Sequence, residues 1–221
     1  MAEEIIEQGY RELADTILEH NPGVDLGRVR AAFELADRAH SGQKRKAGTP
    51  YVTHCVAAAQ ICAEMGLDED SIVAALLHDC TKKLDMAQQL ALCRQYGLEL
   101  DELEQQALKL LHSRTGAAIA REVFGVNDAV CSAIRFHTTG KPHMTPLEKI
   151  LYLADYIEPS REFADEPAVV KLRQTVYEDL DQGMLLGLTM TIEEMREMGN
   201  PIHHLTLDAQ RYLIEQGVKQ V

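Results

Sequence analysis

The segment Ile72-Val73-Ala74-Ala75-Leu76-Leu77 is apolar on every side. Such a run has no face to offer to water, so other elements must wrap it completely. Residues 68–71 can supply its N-cap, which makes it a helix inside a helical core. It ends on His78-Asp79. An imidazole and a carboxylate side by side can both reach one metal ion, and the aspartate keeps a second oxygen for another.

The rest of the chain reads as helix with no convincing strand. Val29, Ala32, Phe33, Ala36 and Ala39 share one helical face, and the spacing predicts a helix over 29–39. Gly48-Thr49-Pro50 interrupts the pattern, and a second helix is expected over 51–65, stopped by Gly66. Further helices are expected over 86–96, 100–112, 115–124, 127–136, 146–156, 166–198 with a break near Gly183, and 207–216. Residues 1–25 read as a leading helix and a turn at Asn21-Pro22-Gly23, and 26–221 as one domain. The fold class is all-α, a helical bundle. With 221 residues and 46% hydrophobic content the chain is able to bury a real core.

A net charge of −13 argues against general affinity for nucleic acid or anionic lipid, because the long-range field repels both. Small anions need only a local cluster of positive groups, and Gly42-Gln43-Lys44-Arg45-Lys46 is one; a solvated basic turn explains it equally well. No apolar stretch is long enough to cross a bilayer, and the acidic start Met1-Ala2-Glu3-Glu4 is unlike a signal peptide, so a cytoplasmic location and no membrane partner are expected. The five cysteines have no CxxC spacing and suggest neither a disulfide framework nor a thiolate zinc site.

Polar residues stand where apolar ones are expected. His54 interrupts the 51–61 helix, His112 follows Leu110-Leu111, His137 ends Ala133-Ile134-Arg135-Phe136, and Asp155 follows Ile150-Leu151-Tyr152-Leu153-Ala154. An uncompensated buried carboxylate costs several kcal/mol or shifts its pKa until neutral. Singly, each has the profile of a hydrogen-bonded core group. Together, His54, His78, Asp79, His112, His137 and Asp155 are most economically explained by convergence on a metal centre.

These residues carry a resemblance to the HD-superfamily metal-dependent phosphohydrolases. The string Ala39-His40-Ser41-Gly42-Gln43-Lys44-Arg45-Lys46-Ala47-Gly48-Thr49-Pro50-Tyr51-Val52-Thr53-His54, with Ala74-Ala75-Leu76-Leu77-His78-Asp79, is similar to the hydrolase domain of the RelA/SpoT (p)ppGpp enzymes. From about residue 75 to 203 the chain resembles the YqeK family of symmetrical diadenosine tetraphosphate hydrolases. That likeness rests on Leu111-His112, Ala133 through Gly140, Leu147 through Pro159, Arg161 and Pro201-Ile202-His203.

The resemblance implies an HD-type hydrolase with a binuclear site in which Asp79 bridges two metals. His54, His78 and Asp155 complete one metal, and His112 and His137 the other. The nitrogen and carboxylate donors suit two divalent or mixed-valence ions, iron above all, with manganese as the alternative. The implied activity is hydrolysis of diadenosine tetraphosphate to two ADP by metal-hydroxide attack on an inner phosphate. The alternatives are a (p)ppGpp 3'-pyrophosphohydrolase or other nucleotide phosphohydrolase, and a noncatalytic nucleotide sensor.

Asp79 and Lys82 are the expected catalytic residues, and the partner is a small nucleotide. Lys82 lies one helical turn after Asp79 and suits a phosphate oxygen or the leaving group; a solvated helix-end lysine is the other reading. Arg161 and the Thr138-Thr139-Gly140 loop are candidate phosphate contacts, the loop reading as a plain turn just as readily. Arg45 and Lys46 correspond to basic residues near the nucleotide in the RelA/SpoT pattern. A homodimer is implied by the resemblance alone. His20, His40 and His143 are read as surface or packing residues, while His203 and His204 stay open between packing and the nucleotide pocket.

Overall fold

The apolar run lies at the centre of the fold. The structure, a computed structural model describing residues 2–219, places Ile72 through Leu77 in a short helix with no exposed surface on any of the six side chains. The described residues form α1 (Ala2–His20), α2 (Leu26–Ala39), α3 (Val52–Glu64), α4 (Glu69–Leu77), α5 (Met86–Gln95), α6 (Leu108–Phe124), α7 (Asp128–Phe136), α8 (Pro146–Ile157), α9 (Pro167–Glu178), α10 (Leu180–Glu197) and α11 (His204–Glu215). The class is all-α, with no strand among the described residues. α4 packs against α2, α3, α6, α7 and α8. α1 lies on α3 and adds Leu13 and Ile17 to the common core, while α9 and α11 flank α10.

Helix starts follow the polar residues that satisfy first-turn N–H groups. The Asp68 carboxylate accepts from Ser71 N at 2.9 Å to start α4, and Asn127 accepts from Val130 N at 3.0 Å to start α7. Thr145 and Glu148 form a reciprocal capping box with Pro146 at the first turn of α8.

Two expected breaks move, and α2 and α11 each start three residues earlier than expected. The helices expected over 100–112 and 115–124 are instead a turn followed by the single helix α6. Asp101 N donates to Glu104 Oε2 and Glu104 N to Asp101 Oδ1, at 3.0 and 2.8 Å, and this closed pair holds residues 101–104 in a turn. The break in the 166–198 segment falls at Asp179 rather than at Gly183. Asp179 leaves helical geometry and its carboxylate takes the N–H groups of Asp181 and Gln182, both at 3.0 Å. Gly183 sits inside α10 because α9 approaches closely: a Cβ there would stand 2.9 Å from Val176 Cα.

Between α2 and α3, residues 43–51 form a tight turn. Arg45 N donates to Thr49 O and Gly48 N to Arg45 O, both at 2.9 Å, and Tyr51 N donates to Gln43 O at 3.0 Å. Gly48, at φ +86°, makes the reversal without the strain a side chain would add. The turn brings Arg45 and Tyr51 over the ends of α4 and α8.

Candidate metal centre

Five elements each bring a polar side chain to one buried point. His54 comes from α3, His78 and Asp79 from the end of α4, His112 from α6, His137 from the end of α7 and Asp155 from α8. All are buried except Asp155, whose side chain is 16% exposed.

α4 and α7 end in the same way. The His78 ring donates Nδ1–H to Ala75 O at 2.7 Å, and the His137 ring donates Nδ1–H to Ile134 O at 2.7 Å. Each histidine thus satisfies a last-turn carbonyl of its own helix. A carbonyl only accepts, so Nδ1 carries the proton and Nε2 presents a lone pair in the neutral ring. Burial works against a charge on His54, and hydrogen bonds to the carboxylates of Asp155, Asp79 and Glu158 outweigh it and raise its pKa; its Nδ1 meets Glu158 Oε1 at 3.0 Å.

The Nε2 atoms converge in two groups. His54 Nε2 is 3.3 Å from His78 Nε2, 2.8 Å from Asp155 Oδ1 and 3.4 Å from Asp79 Oδ2; His78 Nε2 is 3.5 Å from both oxygens. On the other side of Asp79, His112 Nε2 is 3.1 Å from Oδ1 and His137 Nε2 is 3.7 Å from it, with the two nitrogens 3.1 Å apart. Asp79 therefore shows one oxygen to each group.

These residues fit divalent metal. Donors about 2.1 Å from a shared ion lie roughly 3.0–3.4 Å apart in octahedral or tetrahedral coordination; half of these spacings fall in that range and the others within about 0.3 Å of it. Two imidazole lone pairs pointing at each other repel unless a proton or a cation lies between them. Asp79 Oδ1 and His112 Nδ1 are buried without an aligned hydrogen-bond partner. The first group offers four donors and the second three, with Asp79 common to both.

The electrostatics have the same sense. Burial works against the charge on Asp79, and His78 and Lys82 outweigh it, holding the carboxyl well below its usual range. Around Asp155 burial is outweighed by Arg161 and His54, with the same result. Burial opposes a charge on His78, but Asp79 and Asp155 push the ring up to about 10. His137 is held down at about 4 by burial, which Asp79 offsets only in part. The carboxylates create a demand for positive charge that the imidazoles meet unevenly.

The other sequence candidates are spread around this point. Lys82 Nζ bonds Asp79 Oδ2 at 2.8 Å and its side chain is 32% exposed, while the Arg161 guanidinium pairs with the carboxylate of Asp155 and also bonds its backbone oxygen at 2.8 Å. Arg45 points inward and pairs with Glu158 at 3.1 Å; Lys46 is exposed and pairs with Glu162. Thr138 is half-buried beside Ser113, next to His112. Thr139 is buried, its hydroxyl on Gly140 O, and Gly140 packs against Leu188, Met144 and Ala209, away from the imidazoles.

Two residues join that were not selected from sequence. Tyr51 donates its hydroxyl to Asp79 Oδ2 at 2.8 Å, and burial raises its pKa so that it stays a donor. Glu158 is fully buried and bonds His54. Their signals were spacing, with Tyr51 three residues before His54 and Glu158 three after Asp155, and a place inside the two strings that carry the family resemblance. His40 is a packing residue, buried against the Tyr51 ring. His203 and His204 lie by Asp101, with His203 Nε2 2.9 Å from its carboxylate. His203 Nδ1 accepts from Leu205 N at 3.2 Å and caps the start of α11, which leaves the ring proton on Nε2, facing the Asp101 carboxylate.

The HD domain family model matches residues 51–160, a span containing all six converging residues. Fold and site define the chain as an HD-type phosphohydrolase. A crystal structure of an HD superfamily hydrolase from Clostridium acetobutylicum, described as involved in NAD metabolism, matches it with a TM-score of 0.73 at 34% identity, over 85% of this chain and 97% of that one. The symmetrical bis(5'-nucleosyl)-tetraphosphatase of Halalkalibacterium halodurans is 39% identical over 148 residues, 64% of this chain and 74% of that protein. This chain belongs to the symmetrical bis(5'-nucleosyl)-tetraphosphatase family. The bifunctional (p)ppGpp synthase/hydrolase RelA of Mycobacterium tuberculosis is 50% identical over a shorter stretch of 58 residues, 26% of this chain and 8% of that protein. No helix among the described residues is long and apolar enough to cross a membrane.

Proposed function

We propose that the protein hydrolyses the central P–O–P bridge of diadenosine tetraphosphate with water, giving two ADP. The observation that carries the reading is Asp79, whose two oxygens face separate imidazole pairs. His54, His78, Asp79 and Asp155 would hold one divalent cation, and Asp79, His112 and His137 a second. The donors include no thiolate, and iron is our assignment, with manganese second. Bound cations would supply Lewis acidity at phosphoryl oxygens and bring the ionisation of water near neutral pH.

The chain's own residues position and balance charge. The Nδ1–H bonds to Ala75 and Ile134 aim two rings at the centre before substrate arrives. Lys82 and Arg161 are paired with carboxylates that are themselves candidate ligands. Once those carboxylates are otherwise neutralised, both cations are free for phosphate oxygens, Arg161 through its planar fork. Thr138, beside His112, is assigned as a hydroxyl contact at the mouth.

The test is chromatography of products from anaerobically purified protein given diadenosine tetraphosphate or (p)ppGpp, with metal content measured on the same sample. ADP as sole product with about two metals per chain is the expected result. Pyrophosphate released from (p)ppGpp alone would replace this substrate by the alternative one, and tight nucleotide binding without turnover would make the protein a sensor.

A further inference from the structure

Three buried or nearly buried carboxylates line the centre, and each has its own cation. Asp79 has Lys82 at 2.8 Å, Asp155 has Arg161, and Glu158 has Arg45 at 3.1 Å, with Arg161 Nε a more distant 3.7 Å from Glu158. The first two carboxylates belong to the group of possible metal donors; Glu158 does not. Its Oε1 already meets His54 Nδ1 at 3.0 Å as well as Arg45, and its Oε2 accepts from Ser160 N at 2.7 Å. A cation that neutralises Asp79 and Asp155 therefore leaves the pairing of Arg45 unchanged.

Arg45 is also held from behind. Its backbone closes the 45–49 turn, its side chain is only 11% exposed, and its guanidinium lies 5.9 Å from the centroid of the Tyr51 ring. The adjacent Lys46 side chain is 87% exposed and faces away to Glu162. Of two neighbouring basic residues, one is built into the centre and the other stands in solvent.

From this we infer that Arg45 is a positioning residue for the metal centre. It anchors Glu158, which fixes the ring of His54 with its proton on Nδ1 and its Nε2 lone pair turned inward. The role rests on the metal-dependent reading given above. It separates Arg45 from Lys82 and Arg161, whose place at their carboxylate partners a metal cation can take. Partners that orient a ligating imidazole commonly change metal affinity by 10- to 100-fold when removed.

The experiment is equilibrium dialysis of the full chain against Mn²⁺, with bound metal measured directly, followed by steady-state kinetics at saturating Mn²⁺. Arg45→Gln and Glu158→Gln should each weaken Mn²⁺ binding by roughly 10- to 100-fold, and the double variant should be little worse than either, since both act through His54. Arg45→Lys should fall between wild type and Arg45→Gln, because it restores the charge without the planar fork. Lys44→Gln, which removes an exposed charge from the same turn, should bind Mn²⁺ like wild type. At saturating Mn²⁺ the KM for diadenosine tetraphosphate in Arg45→Lys should stay within about twofold of wild type. Wild-type Mn²⁺ affinity in Arg45→Gln together with a large rise in KM would make Arg45 a nucleotide contact and overturn the inference alone. A wild-type chain that takes up no Mn²⁺ would overturn the metal centre as well.

Discussion

Gln89 has no exposed surface, yet it lies outside the centre it stabilises. From α5 its Nε2 donates to Thr81 O at 2.7 Å, and its Oε1 accepts from the Thr115 hydroxyl at 2.5 Å. Thr81 follows Asp79 by two residues, and Thr115 follows His112 by three on α6; the Thr81 hydroxyl in turn bonds His112 O at 3.0 Å. The amide thus rivets the turn that presents Asp79 to the helix that presents His112. Gln89→Leu keeps the shape and removes both bonds. Thr115 retains Leu111 O as an acceptor at 3.1 Å and the Thr81 carbonyl retains the Leu84 N–H at 3.0 Å, so neither group is orphaned and the loss is that of two buried hydrogen bonds. A hydrogen bond contributes about 0.5–1.5 kcal/mol net, so the two together contribute about 1–3 kcal/mol. Taking about 2 kcal/mol, and 2–4 °C per kcal/mol for a chain of this size, Tm should fall by about 4–8 °C. Scanning calorimetry of the metal-free protein measures it. A Tm within about 1 °C of wild type would refute the reasoning, since it would mean that the two bonds contribute nothing net to stability.

Asp79→Ala should remove both metals, while His112→Ala or His137→Ala should remove mainly one; equal metal per chain in all three and in wild type, measured by elemental analysis, would sink the shared-carboxylate assignment. Burial alone would raise Glu148, but Ser132, the Thr145 backbone N–H and Lys141 outweigh it and hold the carboxyl below its usual value. A carboxyl lowered by folding contributes stability that is complete above its unfolded pKa of about 4.3 and is lost as pH falls through the folded value. Urea titrations should therefore show Glu148→Gln losing less stability than wild type between about pH 5 and pH 3, and parallel losses would count against it. Gly183→Ala should destabilise by about 1–3 kcal/mol despite a helix-propensity gain of about 1 kcal/mol, because its Cβ meets the Val176 backbone; a more stable variant would show that α9 yields easily.

Much of this molecule is written in local pattern. The all-α class, the enclosed α4 and the stop at His78-Asp79 follow from periodicity and caps, which act over a few residues. The two shifted breaks came from carboxylates acting on nearby N–H groups, at Asp101 and at Asp179, where periodicity continues through the break. His40 and the Thr139-Gly140 pair share one lesson. Polar or glycine residues in a motif-like string can face the core, and only packing decides which face they take.

The sequence by itself determined the kinds of donor and the helices that carry them, because imidazole and carboxylate in apolar helical surroundings must find partners whatever the fold. Tertiary structure alone decided which partners. His54 and Glu158 are 104 residues apart and meet at 3.0 Å, and no local periodicity encodes that contact. Nor does sequence say that Arg45 turns inward while Lys46 turns out, for the two are equally basic and adjacent. The choice was made by the 43–51 turn and by a fully buried carboxylate that needed a cation, a requirement that exists only once α8 has carried Glu158 into the interior.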